Sequence, residues 1–334
     1  MPDQATEAFW ITAEGKGEIL ASNLGQAGQP GALEGSEPIL EIQSLYSGIS
    51  RGTESLIFSG QVPAEEYQRM RAPFQEGEFP FPVKYGYCNV GRVVAGDGKM
   101  IGQTVFSLFP HQRRFRLPAS AVVPLPDGVP PARAVLAANM ETAVNGLWDA
   151  APRVGDRIAV VGLGVVGMLI AWLASRIPGT RVTAIDINPD REPVARALGI
   201  PFAITDDRDD HDLVFHTSGH PDGLNRALSL AGMEARVVEM SWYGRRQAAV
   251  SLGGAFHSKR LTLVSSQVGQ VSPGQRPRWS HRERLLLALS LLDQDALDVL
   301  ISGESRFEDL PITMSRLAQS TGELCHRIRY STEV

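Results

Sequence analysis

The sequence predicts an α/β protein with two domains, one a doubly wound parallel sheet and the other rich in short β-strands. Its 334 residues are enough for about two domains with buried cores. Residues 38–130 carry short apolar segments separated by glycine and proline, which is typical of a compact β-rich domain. Further along the chain, predicted strands alternate with predicted helices, and this alternation indicates a parallel sheet.

The β-rich part contains four predicted strands, at residues 39–46, 90–95, 104–109 and 121–124. Glycine and proline separate them, as expected for turns between short strands. The alanine-rich stretch 132–148 is predicted to be helical, and it leads into the alternating part of the chain.

The alternating part has predicted strands at residues 157–161, 181–186, 212–216, 235–240 and 260–265. A helix is expected to begin at Asn188-Pro189 and to end at Gly199, because asparagine caps a helix, proline suits its first turn and glycine suits its end. A second helix is predicted at 221–230, closing near Gly232. Leucines at helical spacing predict a third at 284–300.

The first of these strands runs directly into a glycine turn, Gly162-Leu163-Gly164-Val165-Val166-Gly167. Gly162 permits the tight turn, Gly164 lets the backbone approach a pyrophosphate, and Gly167 lets the next helix pack close to the sheet. The pyrophosphate would bind the unpaired amides at the start of that helix. The pattern predicts a Rossmann domain that binds a dinucleotide. A turn with no ligand, and a methyltransferase site with less regular glycines, are the alternatives.

The second strand of this unit ends on Asp186, nineteen residues beyond Gly167. A carboxylate at this position accepts hydrogen bonds from the adenosine ribose and repels a 2′-phosphate. The predicted cofactor is therefore NAD rather than NADP.

The composition, 43% hydrophobic and 21% charged, is that of a globular protein in water. A net charge of −5 and a pI near 5.8 argue against partners such as nucleic acid or an anionic membrane. Two cysteines, Cys88 and Cys325, give no disulfide framework and suit a reducing compartment. The N-terminus is acidic and no apolar run reaches about 18 residues, so a cytoplasmic protein is expected.

Three short motifs resemble those of the medium-chain dehydrogenase/reductase family, the alcohol dehydrogenase-like oxidoreductases. They are 47–54 (SGISRGTE), 84–91 (KYGYCNVG) and 141–144 (ETAV). The resemblance covers nearly the whole chain. It implies a GroES-like catalytic domain at 1–137 and 270–334 around a Rossmann domain at 138–269. It also implies an NAD(H) site in the cleft between the domains, with the nicotinamide facing Arg51, Tyr87 and Glu141.

The chain departs from the zinc-binding members of this family at the ligand positions. Tyr87 stands where the family has a histidine, Arg51 or Ser50 where it has a cysteine, and Ala138 at the third ligand. Zinc needs three groups with lone pairs, which tyrosine, arginine and alanine do not supply together. The stretch 96–118 also lacks the four cysteines of the family's structural zinc. No metal is therefore expected. The alternative is an unorthodox site built from Cys88, Glu54, Glu141 or His111.

The predicted function is zinc-independent hydride transfer between NAD(H) and an alcohol or carbonyl compound. The N-terminal motifs are also similar to those of dehydrogenases that oxidise the hydroxyethyl group of bacteriochlorophyllide. Alternatives are an enone or quinone reductase of the same fold, which needs no strong acid, and a nucleotide-binding protein without catalysis.

Tyr87 is the candidate proton donor to the nascent alkoxide, with Lys84 or Arg51 lowering its pKa. Arg51 is alternatively a group that orients a substrate carboxylate or carbonyl, or the partner of Glu54 in an ion pair. Tyr87 is alternatively an aromatic that fills the space of a zinc site.

Thr142 and Ser218 are candidate cofactor contacts, and Glu141 is predicted to line the cleft. His216 and His220 flank Ser218 at the end of a predicted strand, where each lines the nicotinamide ribose pocket or plays a surface or capping role. The cationic run 276–284 is either a rim that attracts an anionic substrate or a solvated helix start, and the latter is favoured. The apolar last strand, 261–264, suggests pairing in a homodimer.

Overall fold

The computed structural model describes residues 5–24, 37–320 and 322–331. The chain divides into two compact units. The first unit comprises residues 1–138, 292–294 and 301–334, and the second comprises 139–291 and 295–300. The ends of the predicted GroES-like domain, residues 1–4 and 332–334, lie outside the described residues, as do 25–36 and 321.

The N-terminal part of the first unit contains nine strands and two α-helices within the described ranges. The strands are β1 (Thr6–Ala13), β2 (Lys16–Ser22), β3 (Ile39–Ile49), β4 (Glu76–Gly77), β5 (Val83–Lys84), β6 (Asn89–Ala95), β7 (Thr104–Ser107), β8 (Arg114–Pro118) and β9 (Val122–Pro124), and the helices are α1 (Arg51–Phe58) and α2 (Pro131–Ala134). The four predicted strands correspond to β3, β6, β7 and β9, so the predicted β-rich domain is confirmed in outline.

The second unit is an alternation of helices and strands. Its elements are α3 (Ala137–Ala150), which begins in the first unit, then β10 (Arg157–Val161), α4 (Val165–Ala174), β11 (Arg181–Ile185), α5 (Glu192–Ala197), β12 (Phe202–Ala203), β13 (His211–His216), α6 (Pro221–Leu230), β14 (Ala231–Glu239), β15 (Thr262–Ser265) and α7 (His281–Ser290). A short 3-10 turn, Asp295–Leu300, also belongs to this unit.

The chain then returns to the first unit with β16 (Ile301–Arg306), α8 (Leu310–Gln319) and β17 (Cys325–Arg329). One sheet of this unit has the order β2-β1-β5-β4. The other has the order β16-β17-β3-β6-β7-β9, and β8 pairs with β3. Phe109 and Phe115 stack at 3.9 Å between ring centroids in the core of the unit. Helix α1 follows the C-terminal end of the long strand β3, and the first residue of α1 is Arg51.

The sheet of the second unit has the order β12-β11-β10-β13-β14-β15, and all its pairings are parallel. Counted from β10, this is the doubly wound order 3-2-1-4-5-6, in which ligands bind beyond the strand ends where the order reverses. That point lies between β10 and β13. Ile158, Ala159 and Val160 are all completely buried, as expected for a central parallel strand covered on both faces.

Two elements of the second unit differ from their predictions. The strand β14 begins at Ala231, directly after α6, so Gly232 lies within the strand and does not close the helix. The predicted helix 284–300 is instead α7 followed by the turn Asp295–Leu300. Ser280 starts α7 earlier, because its side chain accepts from the Glu283 amide and Glu283 bonds back to the Ser280 amide at 2.7 Å.

The second crossing between the units differs from the predicted boundary near residue 270. Residues 270–291 fall in the second unit, and the chain returns to the first unit for good only at residue 301. The reason is Arg284 on α7, whose guanidinium bonds to the side chains of Glu141 and Asn145 on α3.

Each helix in the described ranges is too short or too polar to span a membrane.

Candidate active site

The glycine turn of the second unit has no room for side chains at two of its three glycines. Gly162 has a φ of +96°, and a Cβ there would lie 2.5 Å from the Ser218 backbone. A Cβ at Gly167 would lie 2.0 Å from the Gly162 carbonyl oxygen. At Gly164 it would meet no atom within 4 Å beyond its chain neighbours. The turn is therefore closely packed at Gly162 and Gly167 and open at Gly164.

Helix α4 begins immediately after this open position. Gly164 is its N-cap in an extended conformation, and the amide of Met168 donates to the Gly164 carbonyl at 2.9 Å. The amides of Val165, Val166 and Gly167 precede that first helical bond, so they remain available to an anion at the positive end of the helix dipole. These groups are the ones that would hold a pyrophosphate.

Asp186 lies at the end of β11 with both carboxylate oxygens fixed by backbone amides. Oδ2 accepts from the Leu163 amide at 2.6 Å, and Oδ1 accepts from the Asn188 amide at 2.8 Å. The side chain is half-buried. Each carboxylate oxygen retains accepting capacity for a ligand hydroxyl, whereas a phosphate beside it would be repelled.

Three polar side chains meet at the ends of the neighbouring strands β13 and β14. His216 is buried, its Nδ1 lies 2.7 Å from Glu239 Oε2, and its Nε2 lies 2.6 Å from Ser218 Oγ. His216 and Ser218 were predicted from the sequence as candidate site residues, and Glu239 was not. The signal that could have found Glu239 is the parallel pairing of β13 with β14. This pairing sets His216 beside Glu239 and so brings together two polar residues at the strand ends.

Helix α3 carries the predicted residues Glu141 and Thr142. Thr142 is half-buried, and Glu141 is buried with its carboxylate 3.1 Å from Arg284 Nε. Burial raises the pKa of Glu141, and the Arg284 charge opposes part of that rise. The interpretation of 276–284 as a solvated helix start is wrong for Arg284, because Arg284 is almost completely buried. In the same segment, the ring of Trp279 contacts that of Trp148 at 5.1 Å between centroids.

Tyr87 lies in the first unit, where its hydroxyl donates to Ser50 Oγ at 2.7 Å. The predicted lowering of its pKa is wrong. Burial raises the pKa of Tyr87, and the nearby Cys88 and Glu54 raise it further, while hydrogen bonds with Ser50 and Thr53 oppose the rise. The phenol therefore keeps its proton through the neutral pH range.

The two cations expected beside Tyr87 are engaged elsewhere. The Lys84 ammonium is buried, where it donates to Gln112 Oε1 at 2.6 Å and pairs with Glu76. A guanidinium nitrogen of Arg51 donates to the Ser320 carbonyl oxygen at 2.7 Å.

Glu54 contacts His111, whereas the sequence offered Arg51 as an alternative partner for it. Glu54 Oε2 lies 2.9 Å from His111 Nε2, and Glu54 Oε1 accepts from the Ser50 amide at 2.7 Å. His111 Nδ1 lies 2.7 Å from Ser47 Oγ, which in turn lies 2.9 Å from the Tyr330 hydroxyl. Glu54, His111, Ser47 and Tyr330 form a buried polar chain beneath α1. The sequence does not predict this chain of hydrogen bonds, because its members are far apart in the sequence.

The zinc implied by the family pattern does not fit the residues present. The three ligand positions carry the hydrogen-bonded phenol of Tyr87, the hydroxyl of Ser50 or guanidinium of Arg51, and the methyl group of Ala138. Across the described parts of the chain, no three His, Cys, Asp or Glu side chains converge on a point suited to a metal ion. The donor set lacks the thiolates and imidazoles that zinc prefers.

Comparison with known proteins finds similarity to dehydrogenases. No family model matches the chain. The D-guloside 3-dehydrogenase of Escherichia coli K12 is 24% identical over 301 residues, covering 81% of this chain and 83% of that protein. A protein of Escherichia coli CFT073 described as a short chain alcohol dehydrogenase, solved with NADH, has a TM-score of 0.73 at 16% identity over 97% of this chain and 99% of that chain.

A second solved structure carries the other nicotinamide cofactor. A protein of Sinorhizobium meliloti 1021 described as a zinc-binding dehydrogenase, solved with NADP, has a TM-score of 0.74 at 15% identity over 98% of this chain and 99% of that chain. The predicted fold class, a Rossmann doubly wound domain with a β-rich GroES-like domain, is confirmed. The similarities also confirm the predicted resemblance to the medium-chain dehydrogenase/reductase family and the prediction of an alcohol dehydrogenase-like oxidoreductase.

Proposed function

We propose that the chain transfers hydride between NAD(H) and an alcohol or carbonyl substrate without a catalytic zinc. The observation that carries the cofactor assignment is the open position at Gly164 beside the fixed carboxylate of Asp186. The amides of α4 would hold the pyrophosphate, and Asp186 would accept hydrogen bonds from the adenosine ribose. When bound, the cofactor supplies or accepts the hydride.

The proton that accompanies the hydride is assigned to Tyr87. Addition of hydride to a carbonyl leaves negative charge on its oxygen, which zinc enzymes stabilise by Lewis acidity. Tyr87 holds a proton, and its partner Ser50 can reorient its own hydroxyl to donate to the phenolate once that proton has left. Arg51 is proposed as a group that orients the substrate, and Glu141 and Thr142 as site residues of the second unit.

The proposed substrate is a small molecule with a secondary hydroxyl group. Support comes from the relative named D-guloside 3-dehydrogenase and from the motif 47–54, which is similar to that of hydroxyethyl-bacteriochlorophyllide dehydrogenases. An anionic substrate would suit the positive charge of the Arg51 guanidinium. A cytoplasmic location is proposed because two cysteines in 334 residues suit a reducing compartment.

A homodimer formed through β15 is also proposed. This strand is the edge of the second unit's sheet, and its Leu263 and Val264 are half-buried. An edge strand offers unpaired backbone groups to a second copy of the same strand. Sedimentation of the purified chain measures its mass in solution.

Hydride transfer that survives a strong chelator is the expected result of the deciding assay. Purified protein is assayed with NAD and NADP against secondary alcohols, glycosides, hydroxyethyl tetrapyrroles and enones, with and without 1,10-phenanthroline. Its metal content is measured on the same sample. Turnover of alcohols or ketones with far less than one zinc per chain supports the proposal. One zinc per chain, with activity lost on chelation, contradicts it, and turnover of enones alone assigns the chain to the reductases.

Asp186→Asn is expected to weaken NAD binding by about 10- to 100-fold, because a hydrogen bond to a charged group contributes about 1.5–3 kcal/mol. The amide keeps the size of the side chain and removes its charge, so the affinity for NADP should rise at the same time. Calorimetry with both cofactors measures the two changes. Asp190→Asn is the matched control, since Asp190 is an exposed acid in the following turn. Equal losses for NAD and NADP would contradict the role assigned to Asp186.

A further inference from the structure

Ser218 is the exposed end of a hydrogen-bonded chain to which the proposed hydride transfer assigns no step. Its Oγ lies 2.6 Å from Nε2 of the buried His216, and Nδ1 of that ring lies 2.7 and 2.9 Å from the two oxygens of Glu239. A carboxylate only accepts, so the ring carries its proton on Nδ1 and presents Nε2 as a base to the serine hydroxyl. Nucleophile, base and orienting acid thus follow in the order of a catalytic triad.

The surroundings fix each member of this triad. The Glu239 carboxylate also accepts from the Ser241 amide at 2.7 Å and from the Tyr243 hydroxyl at 3.1 Å. On the other side, a Cβ at residue 223 would lie 2.2 Å from Ser218 Oγ and 2.8 Å from His216 Nε2. Glycine at position 223 is therefore what allows the hydroxyl and the ring to meet.

The start of α6 provides positive potential beside the serine. The amide of His220, the N-cap of this helix, donates to Ser218 Oγ at 3.2 Å, and Gly223 lies in the first helical turn against the same oxygen. Amides and the helix dipole at such an end stabilise negative charge that develops on a reacting oxygen.

We propose that Ser218 is a nucleophile activated by His216 and positioned through Glu239, giving the chain a second reactive site that accepts acyl groups from small activated esters. His216 Nε2 takes the Ser218 proton while Oγ forms a bond to the ester carbonyl carbon. The carbon–oxygen bond to the leaving alcohol then breaks, and the alcohol departs with the proton from His216. Water reverses the sequence: it gives a proton to His216, its oxygen adds to the carbonyl, and Ser218 leaves and recovers its proton.

The test uses the full chain without added cofactor, so its outcome does not depend on hydride transfer. The protein is treated with a fluorophosphonate probe and, separately, with p-nitrophenyl acetate. We expect one phosphonyl group per chain, placed on Ser218 by peptide mass spectrometry, and a burst of p-nitrophenolate followed by slow turnover. Ser290, an exposed serine that donates only to the Leu287 carbonyl at 2.8 Å, should stay unlabelled in the same digest.

Variants of Ser218 and Glu239 distinguish a serine that its neighbours activate from a serine that is only exposed. Ser218→Ala should lose both signals, and Glu239→Gln should lower the labelling rate by at least about 10²-fold, the lower range for general-base assistance. Glu239→Asp should recover part of that rate, which distinguishes a positioning carboxylate from a packing role. Thermal unfolding confirms that each variant folds. Labelling of Ser218 no faster than that of Ser290, or an unchanged rate in folded Glu239→Gln, would overturn the proposal.

Discussion

Tyr87→Phe is expected to lower the rate of carbonyl reduction by about 10²- to 10⁴-fold, the range for loss of a general acid. The substitution removes one hydroxyl and the hydrogen bond of that hydroxyl to Ser50, and it leaves the ring in place. Cofactor affinity should be unchanged, because the glycine turn and Asp186 belong to the second unit. Single-turnover reduction of a ketone by NADH, with calorimetry of NADH binding, measures the two quantities.

The pH dependence of that rate has a definite sign. Because the pKa of Tyr87 is raised above its usual value of about 10, the protonated phenol persists throughout the neutral range. Ionisation of Tyr87 should therefore cause no loss of rate until the pH exceeds about 10. The same shift makes the folded state bind its proton more tightly than the unfolded state does, so its contribution to stability is lost as the pH rises above about 10.

Tyr85→Phe is the matched control for this substitution. Tyr85 is a buried tyrosine whose ring contacts that of Tyr87 at 5.9 Å between centroids, and it lies outside the proposed site. It should retain hydride transfer even if it loses some stability. If Tyr87→Phe and Tyr85→Phe have the same modest effect, Tyr87 is a packing residue and the proton comes from another group.

Local patterns predicted the second unit well. The strand β10, the glycine turn and Asp186 lie close together in the sequence, and each has a residue type that the backbone or a ligand requires there. Gly162 needs a positive φ and Gly167 needs close packing, so these glycines are readable without knowledge of distant residues. The parallel sheet followed from alternation alone.

Pairings between distant side chains escaped prediction. His111 bonds to Glu54 across 57 positions of sequence, and Arg284 bonds to Glu141 across 143. A charged residue in a polar segment normally faces water, and only the structure shows that the buried Glu141 carboxylate is the partner of Arg284. The contact of Lys84 with Gln112 is of the same kind, and burial rather than a nearby cation sets the direction of the Tyr87 pKa shift.

Arg284→Met is expected to lower the free energy of unfolding of the second unit by about 3–5 kcal/mol, the cost of removing one partner from a buried ion pair. The guanidinium is almost completely buried and bonds to Glu141, Asn145 and two carbonyl oxygens. Methionine fills much of the volume but leaves the Glu141 carboxylate without its cation. Urea unfolding followed by hydrogen exchange of the α3 amides measures the loss.

The double variant Glu141→Leu with Arg284→Met tests whether the loss comes from the stranded charge. With both charges gone, stability should recover most of what Arg284→Met loses, because an apolar pair costs no desolvation of a carboxylate. Arg278→Met, an exposed arginine in the preceding loop, should change stability by no more than about 0.5 kcal/mol. A further variant tests whether Glu141 contacts the substrate. If it does, the folded Glu141→Gln variant should lose more hydride-transfer activity than its loss of stability explains. An unstable double variant with no coupling between the two substitutions would contradict the role assigned to the ion pair, and α7 would then be held to α3 by apolar packing alone.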